Sequence, residues 1–341
     1  MTSTPLDAQA APSLESRLTA PWPSPDSVAK IEGQPLTFRS HSPFVLADVD
    51  QAGRDESTEG VGTLFLPRGA SVDHKVPAVI MLHGAGGVLN ARELTYGRQL
   101  SAMGVAAIAV DSFGARRDRA TSFIDRLVEI TESMVLADAY AALRYLSTLP
   151  EIDISRVVLV GFSYGGMSTT YAIHDQVARL LAPEGLRFAG HVAFYAPCIA
   201  RFADIRTTGA PMLRLYGGED EITEPKRCAE LEQDLREGGS EVETITYPGA
   251  YHQWDGSRGG PYLVGRRLGG CRFTVERDGI IRDANTWLPM TNSVTRKIAL
   301  ALCVGRDGYL TGRDDKVRAQ SNRDFGRFLA RVFRDTPVQG G

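Results

Sequence analysis

The chain has 341 residues with 38 Lys and Arg against 41 Asp and Glu, a net charge of −3, and 43% hydrophobic with 23% charged side chains. That balance excludes a mostly disordered chain, and without a basic excess no nucleic-acid partner is expected. No apolar run approaches the roughly 18 residues that cross a bilayer, and the first twenty residues lack a basic start and an apolar core, so no membrane partner is expected and the expected location is cytoplasmic.

In chain order, residues 1–34 read as a Pro-rich tail, with Pro5, Pro12, Pro21, Pro23 and Pro25 among small polar residues that bury little surface, and partial disorder is expected there. One domain is expected over 35–341. It begins with alternating patterns such as Leu36-Thr37-Phe38 and Gly62-Thr63-Leu64-Phe65-Leu66, which suggest antiparallel strands at one sheet edge. The pattern then changes. Continuous apolar runs at 76–82, 105–110, 157–160, 191–195 and 212–216 have the composition of strands covered on both faces. Helical periodicity fills the gaps, over Arg92–Met103, Ser133–Leu149, Gly165–Leu181 and Glu224–Glu237. Strand and helix in alternation imply an α/β fold with a doubly wound, mostly parallel sheet. Residues 242–247 read as the last strand. From about 255 to 310 the pattern is irregular, an insertion or cap with a possible hairpin at Asp278-Gly279, before a closing helix over Val317–Phe333.

The run at 157–160 leads straight into Gly161-Phe162-Ser163-Tyr164-Gly165. A nucleophile on a sharp strand-to-helix turn needs glycines two residues to either side, because Cβ atoms there would collide, and the turn lifts Ser163 to the positive end of the following helix. A serine hydroxyl is a weak nucleophile, so a base must take its proton and a carboxylate must orient that base. Both are expected after the serine, acid first, on loops at the carboxyl ends of later strands. Gly217-Gly218-Glu219-Asp220-Glu221 offers the acid, with Asp220 favoured over its two neighbours because its short side chain follows a completed turn. Pro248-Gly249-Ala250-Tyr251-His252 offers the base. His41, His74, His174 and His191 read as solvated or core histidines, and His83 as shaping its own loop. The oxyanion of acyl transfer needs preorganised donors. The amide of Tyr164 is one, and the other is expected from His83-Gly84-Ala85-Gly86-Gly87, with Ala85 favoured and Gly84 or Gly86 close behind.

These segments, together with Asp111-Ser112-Phe113, resemble the α/β-hydrolase superfamily and, more narrowly, the dienelactone hydrolase family, over about residues 60–255. The resemblance implies hydrolysis of a small-molecule ester or lactone through a nucleophile-His-Asp triad, with no metal and no cofactor. One departure stands out: dienelactone hydrolases proper carry cysteine at the elbow, where this chain has Ser163. A peptidase, a thioesterase or an acyltransferase would use the same three residues, and a binding module could keep the scaffold without turnover. Arg116, on the loop after a central strand, is a candidate bidentate partner for an anionic substrate group, with a surface arginine as the alternative. Cys198, Cys228, Cys271 and Cys303 lack the spacing of a zinc site or a disulfide scaffold and are expected as free thiols. A bridge between Cys198 and Cys228 is the one pairing suggested, because they follow adjacent predicted strands.

Overall fold

Apolar runs without a polar face need cover on both sides. In the computed structural model, which describes residues 12–119 and 122–335, they form the middle of one sheet. The chain passes through helix α1 (Leu14–Thr19), strands β1 (Gln34–His41), β2 (Ser57–Phe65) and β3 (Val76–Leu82), helix α2 (Thr95–Met103) and strand β4 (Ala106–Val110). Helices α3 (Phe123–Glu129) and α4 (Glu132–Ser147) precede strand β5 (Ile152–Phe162), which leads into α5 (Tyr164–Ala172) and α6 (Asp175–Leu181). Next come β6 (Gly190–Phe194), β7 (Ala200–Phe202), β8 (Met212–Gly217), α7 (Pro225–Glu237) and β9 (Val242–Tyr247). The last part holds β10 (Tyr262–Val264), β11 (Phe273–Val275), β12 (Ile281–Asp283), α8 (Ser293–Cys303), β13 (Tyr309–Thr311) and α9 (Asp315–Asp335).

Eight strands lie in the order β1-β2-β4-β3-β5-β6-β8-β9. The β1–β2 and β2–β4 pairs are antiparallel, and every pair from β4 to β9 is parallel. The fold is therefore the doubly wound α/β architecture expected. Along β3 the period of two sends Ala78, Ile80 and Leu82 into the core shared with α4 and α5, and Val79 and Met81 into the core shared with α2 and α9. The order reverses at β3, since β4 lies on one side of it and β5 on the other. A crevice opens at such a switch point beyond the carboxyl ends of the strands, and the loops after β3 and β5 meet there.

Three expectations need correction. The Pro-rich segment is folded from residue 12: Leu18 is fully buried, and the Trp22 ring lies 5.5 Å from that of Phe325 on α9 and 5.9 Å from that of Tyr96 on α2. Trp22 and Leu18 supply an apolar anchor that the proline count obscured. Residues 1–11 lie outside the described ones. The helix expected over Gly165–Leu181 breaks at His174 (ψ 133°), where Asp175 N donates to Arg206 O and Thr208 N donates to Ile173 O. Finally, the cysteines are not free thiols, because Cys198 is bridged to Cys228 and Cys271 to Cys303. Disulfides persist in oxidising compartments, so the two bridges weigh against the cytoplasmic expectation. Among the described residues no helix is long and apolar enough to cross a membrane.

The irregular stretch after β9 folds as a small cap. Strands β10 and β13 pair with each other, β11 and β12 form the hairpin around Gly279, and β11 also pairs with β7. Arg296 on α8 is buried and makes a two-pronged ion pair with Glu132 of α4 (2.9 and 2.8 Å), which fixes the helix to the body.

Candidate active site

The turn from β5 into α5 is as tight as the glycine spacing implied. A Cβ on Gly161 would lie 2.1 Å from Gly165 O, and one on Gly165 would lie 2.3 Å from Leu82 O, so neither position admits a side chain. Between them Ser163 takes φ 53° and ψ −110°, a conformation costly for a residue with a Cβ. It is held there by Ser163 N donating to Phe194 O (2.9 Å) and by Met167 N donating to Ser163 O (2.9 Å).

Two further loops converge on the serine. Gly218 N donates to Tyr247 O (2.8 Å) and Glu219 N to Ala250 O (2.9 Å), which locks the loop after β8 onto the loop after β9. Gly217 allows this approach, since a Cβ there would lie 2.4 Å from Ala250 O. His252 Nε2 lies 2.8 Å from Ser163 Oγ, and His252 Nδ1 lies 2.8 Å from Asp220 Oδ2. The other carboxylate oxygen of Asp220 accepts from Ile222 N (2.9 Å). Glu219 and Glu221 are exposed while Asp220 is buried, so burial separates the three acids that sequence left competing. An acceptor-only carboxylate at Nδ1 requires the proton on that nitrogen, which leaves Nε2 with a lone pair toward the serine hydroxyl.

The imidazole is fully buried, and sequence reasoning missed the groups that frame it. The rings of Tyr195 and Tyr309 stand edge-on to it at 4.8 and 5.2 Å. Tyr195 immediately follows β6 with φ 39°, and its hydroxyl donates to buried Asp255 Oδ1 (2.5 Å). Burial pushes this phenol far above its usual range. From the cap, Thr311 Oγ1 (2.6 Å) and Gly312 N (3.1 Å) both donate to His252 O. An aromatic residue at the end of a central strand was the only sequence signal for Tyr195; nothing local marked Thr311 or Tyr309.

The loop after β3 turns back on itself, with Gly87 N donating to Gly84 O (3.0 Å) and Gly87 at φ +84°. His83 Nδ1 donates to Gly84 O (2.8 Å), and burial lowers the imidazole's affinity for a second proton, consistent with a loop-shaping part. Beneath the loop, fully buried Arg92 and Glu93 pair at 2.6 Å, and Glu93 Oε2 accepts from Leu89 N (2.8 Å). Ala85 and Tyr164 line the same cavity as Ser163. This cavity, of about 230 Å³, is lined mainly by apolar side chains, among them Leu127, Val128, Leu268, Leu300 and Val304, with Arg266 and Lys297 also on its lining. A larger cleft of about 740 Å³ lies across the acid loop, among Glu219, Glu224, Arg267 and Arg272, and does not reach Ser163.

Arg116 is not in either cavity. It is buried, and each of its five N–H groups has an internal acceptor: Nε donates to Ser42 Oγ (2.9 Å), Nη1 to Ser112 O (3.1 Å) and Asp138 Oδ2 (2.7 Å), and Nη2 to His41 O (2.9 Å) and Asp138 Oδ1 (3.1 Å). No donor is left for a substrate anion. The expectation of substrate binding is corrected: Arg116 ties the β4 loop to β1 and α4.

The dienelactone hydrolase family profile matches residues 62–262, more than half the chain. Among curated relatives, a protein of Escherichia coli (strain K12) named "Putative carboxymethylenebutenolidase" is 29% identical over 192 residues, covering 54% of this chain and 69% of its own. A protein of the same name from Salmonella typhimurium is 28% identical over 200 residues, covering 56% and 72%. Among solved structures, the apo form of Thermogutta terrifontis esterase 2 has a TM-score of 0.47 at 17% identity, covering 62% of this chain and 84% of that one. A dienelactone hydrolase-like promiscuous phosphotriesterase from metagenomic libraries has a TM-score of 0.46 at 20% identity, covering 65% and 84%.

Proposed function

The chain belongs to the dienelactone hydrolase family and is a carboxylic ester hydrolase, and from that premise we propose that it cleaves an ester or lactone through an acyl-enzyme on Ser163. His252 Nε2 takes the hydroxyl proton as Oγ attacks the carbonyl carbon. The carbonyl π-electrons move to oxygen, and the amides of Tyr164 and Ala85 stabilise that oxyanion. When the tetrahedral centre collapses, the C–O bond to the alcohol breaks and the imidazolium returns the proton to it. A water then repeats the sequence on the acyl-enzyme, with His252 as its base, and releases the acid. Asp220 holds Nδ1–H throughout and stabilises the imidazolium formed in each half-reaction.

The observation that carries this reading is the pair of 2.8 Å contacts joining Asp220, His252 and Ser163. Ser163→Ala should lower kcat for p-nitrophenyl acetate on the order of 10⁶-fold while leaving the fold intact. A fluorophosphonate probe should label wild type one-to-one at Ser163. Undiminished turnover in the alanine variant, or no labelling of a folded wild type, refutes the serine route, and the second result favours a binding module.

A further inference from the structure

The family match ends at residue 262, yet one wall of the cavity above Ser163 is built beyond it, from Leu268 and from Leu300, Ala301 and Val304 of α8 and its end. Leu127 and Val128 of α3 form another part of the wall. Both parts are fixed. Arg296 donates from Nε to Leu127 O (2.9 Å) as well as pairing with Glu132, and Ser293 Oγ donates to Glu129 Oε2 (2.6 Å). At the far end of α8, Cys303 is bridged to Cys271. The space between is therefore preformed, and a group entering it meets little ordering cost.

Its chemistry is apolar. The Tyr164 hydroxyl is occupied by Ile130 O (2.9 Å), and the two cations on the lining, Arg266 and Lys297, are exposed while the remaining lining is apolar but for Ser163. A carboxylate seated among the apolar side chains, away from Arg266 and Lys297, would lose its hydration without gaining a partner. The cavity, about 230 Å³, has room for a chain of moderate length and not for a long one.

We propose that the substrate presents an uncharged, apolar acyl group of moderate length, seated against α3 and α8. This rests on the reading that Ser163 carries the acyl group. The acyl part remains attached while water attacks, so it is the part that gains from a preformed apolar site; the alcohol must depart.

The test is kcat/KM for p-nitrophenyl esters from acetate to dodecanoate, with fluorophosphonate labelling of Ser163 measured on the same sample. Each methylene added to the shorter chains should raise kcat/KM roughly two- to fourfold, and the longest chains should level off or decline. Ala301→Trp, at an exposed backbone position on the cap helix, should lower the hexanoate-to-acetate ratio at least tenfold. An ester of matched length ending in a carboxylate should be turned over at least tenfold less well than its apolar counterpart. Normal labelling with a flat or acetate-preferring profile, with a preference for the carboxylate, or with an unchanged ratio in Ala301→Trp overturns this proposal alone. Absent labelling overturns the serine route and this proposal together.

Discussion

Replacing Arg116 with Met keeps an unbranched apolar stem and removes a guanidinium whose five donors are all engaged inside the protein. Asp138, itself fully buried, then retains only Ser40 Oγ (2.6 Å) as a partner among those bonds. Stranding a buried carboxylate by deleting its partner costs about 3–5 kcal/mol. With an m-value of roughly 3 kcal/mol/M in urea, the unfolding midpoint should fall by about 1–1.7 M. Arg116→Met/Asp138→Leu removes both charges and should recover part of that loss, because the remaining cost lies in neutral groups that lose a partner, the Ser40 hydroxyl and the His41 and Ser112 carbonyls, while the Ser42 hydroxyl keeps Thr58 Oγ1 (2.6 Å). Urea unfolding followed by tryptophan fluorescence supplies the midpoints, and steady-state turnover of p-nitrophenyl acetate supplies KM, which should stay at the wild-type value in both variants. A single variant with the wild-type midpoint and a raised KM for anionic esters would refute the structural assignment and restore a substrate-binding one.

Two other outcomes are expected. Cys271→Ser/Cys303→Ser opens a 32-residue span and should lower unfolding free energy by about 3–4 kcal/mol on chain-entropy grounds; equal midpoints for this variant and non-reduced wild type would exclude a stabilising bridge. His191, buried in β6, is held by desolvation down to about 3 from its ordinary 6.5, and His174 down to about 4. The unfolded chain therefore binds these protons first: neither group affects stability above 6.5, and each removes up to about 1.4 kcal/mol per pH unit as pH falls through the window below it. His191→Phe should flatten the decline measured by urea unfolding at pH 7, 6 and 5, and an unaltered slope would show that the imidazole does not couple to folding.

Legibility followed the range over which each signal acts. Doubly buried strands announce themselves because every position must be apolar, and the elbow because Gly161 and Gly165 face backbone oxygens closer than any Cβ tolerates. Chain order then pointed to the loops of Asp220 and His252, and turn geometry favoured Asp220 over its acidic neighbours; the fold adds a separate distinction by burying one and exposing two. The failures were all long-range. Arg116 on a loop looked available because its acceptors come from residues 41, 42, 112 and 138. Cys271 and Cys303 carry no spacing signature, and their meeting depends on how the cap folds back. Tyr309 and Thr311, which frame His252, sit in a stretch whose three-residue strand is too short to leave a periodic trace.

The opening residues have a practical consequence. Gly326 of α9 admits the Leu18 carbonyl so closely that a Cβ would lie 2.0 Å from it, and Gln99 Nε2 reaches Pro23 O at 2.6 Å. This lead-in segment acts as a clasp, joining α2 and α9 over the aromatic patch of Tyr96 and Phe325. Anyone who trims the gene at the proline cluster to obtain a tidier protein would unbuckle that clasp and leave a greasy seam facing water, with self-association the natural result.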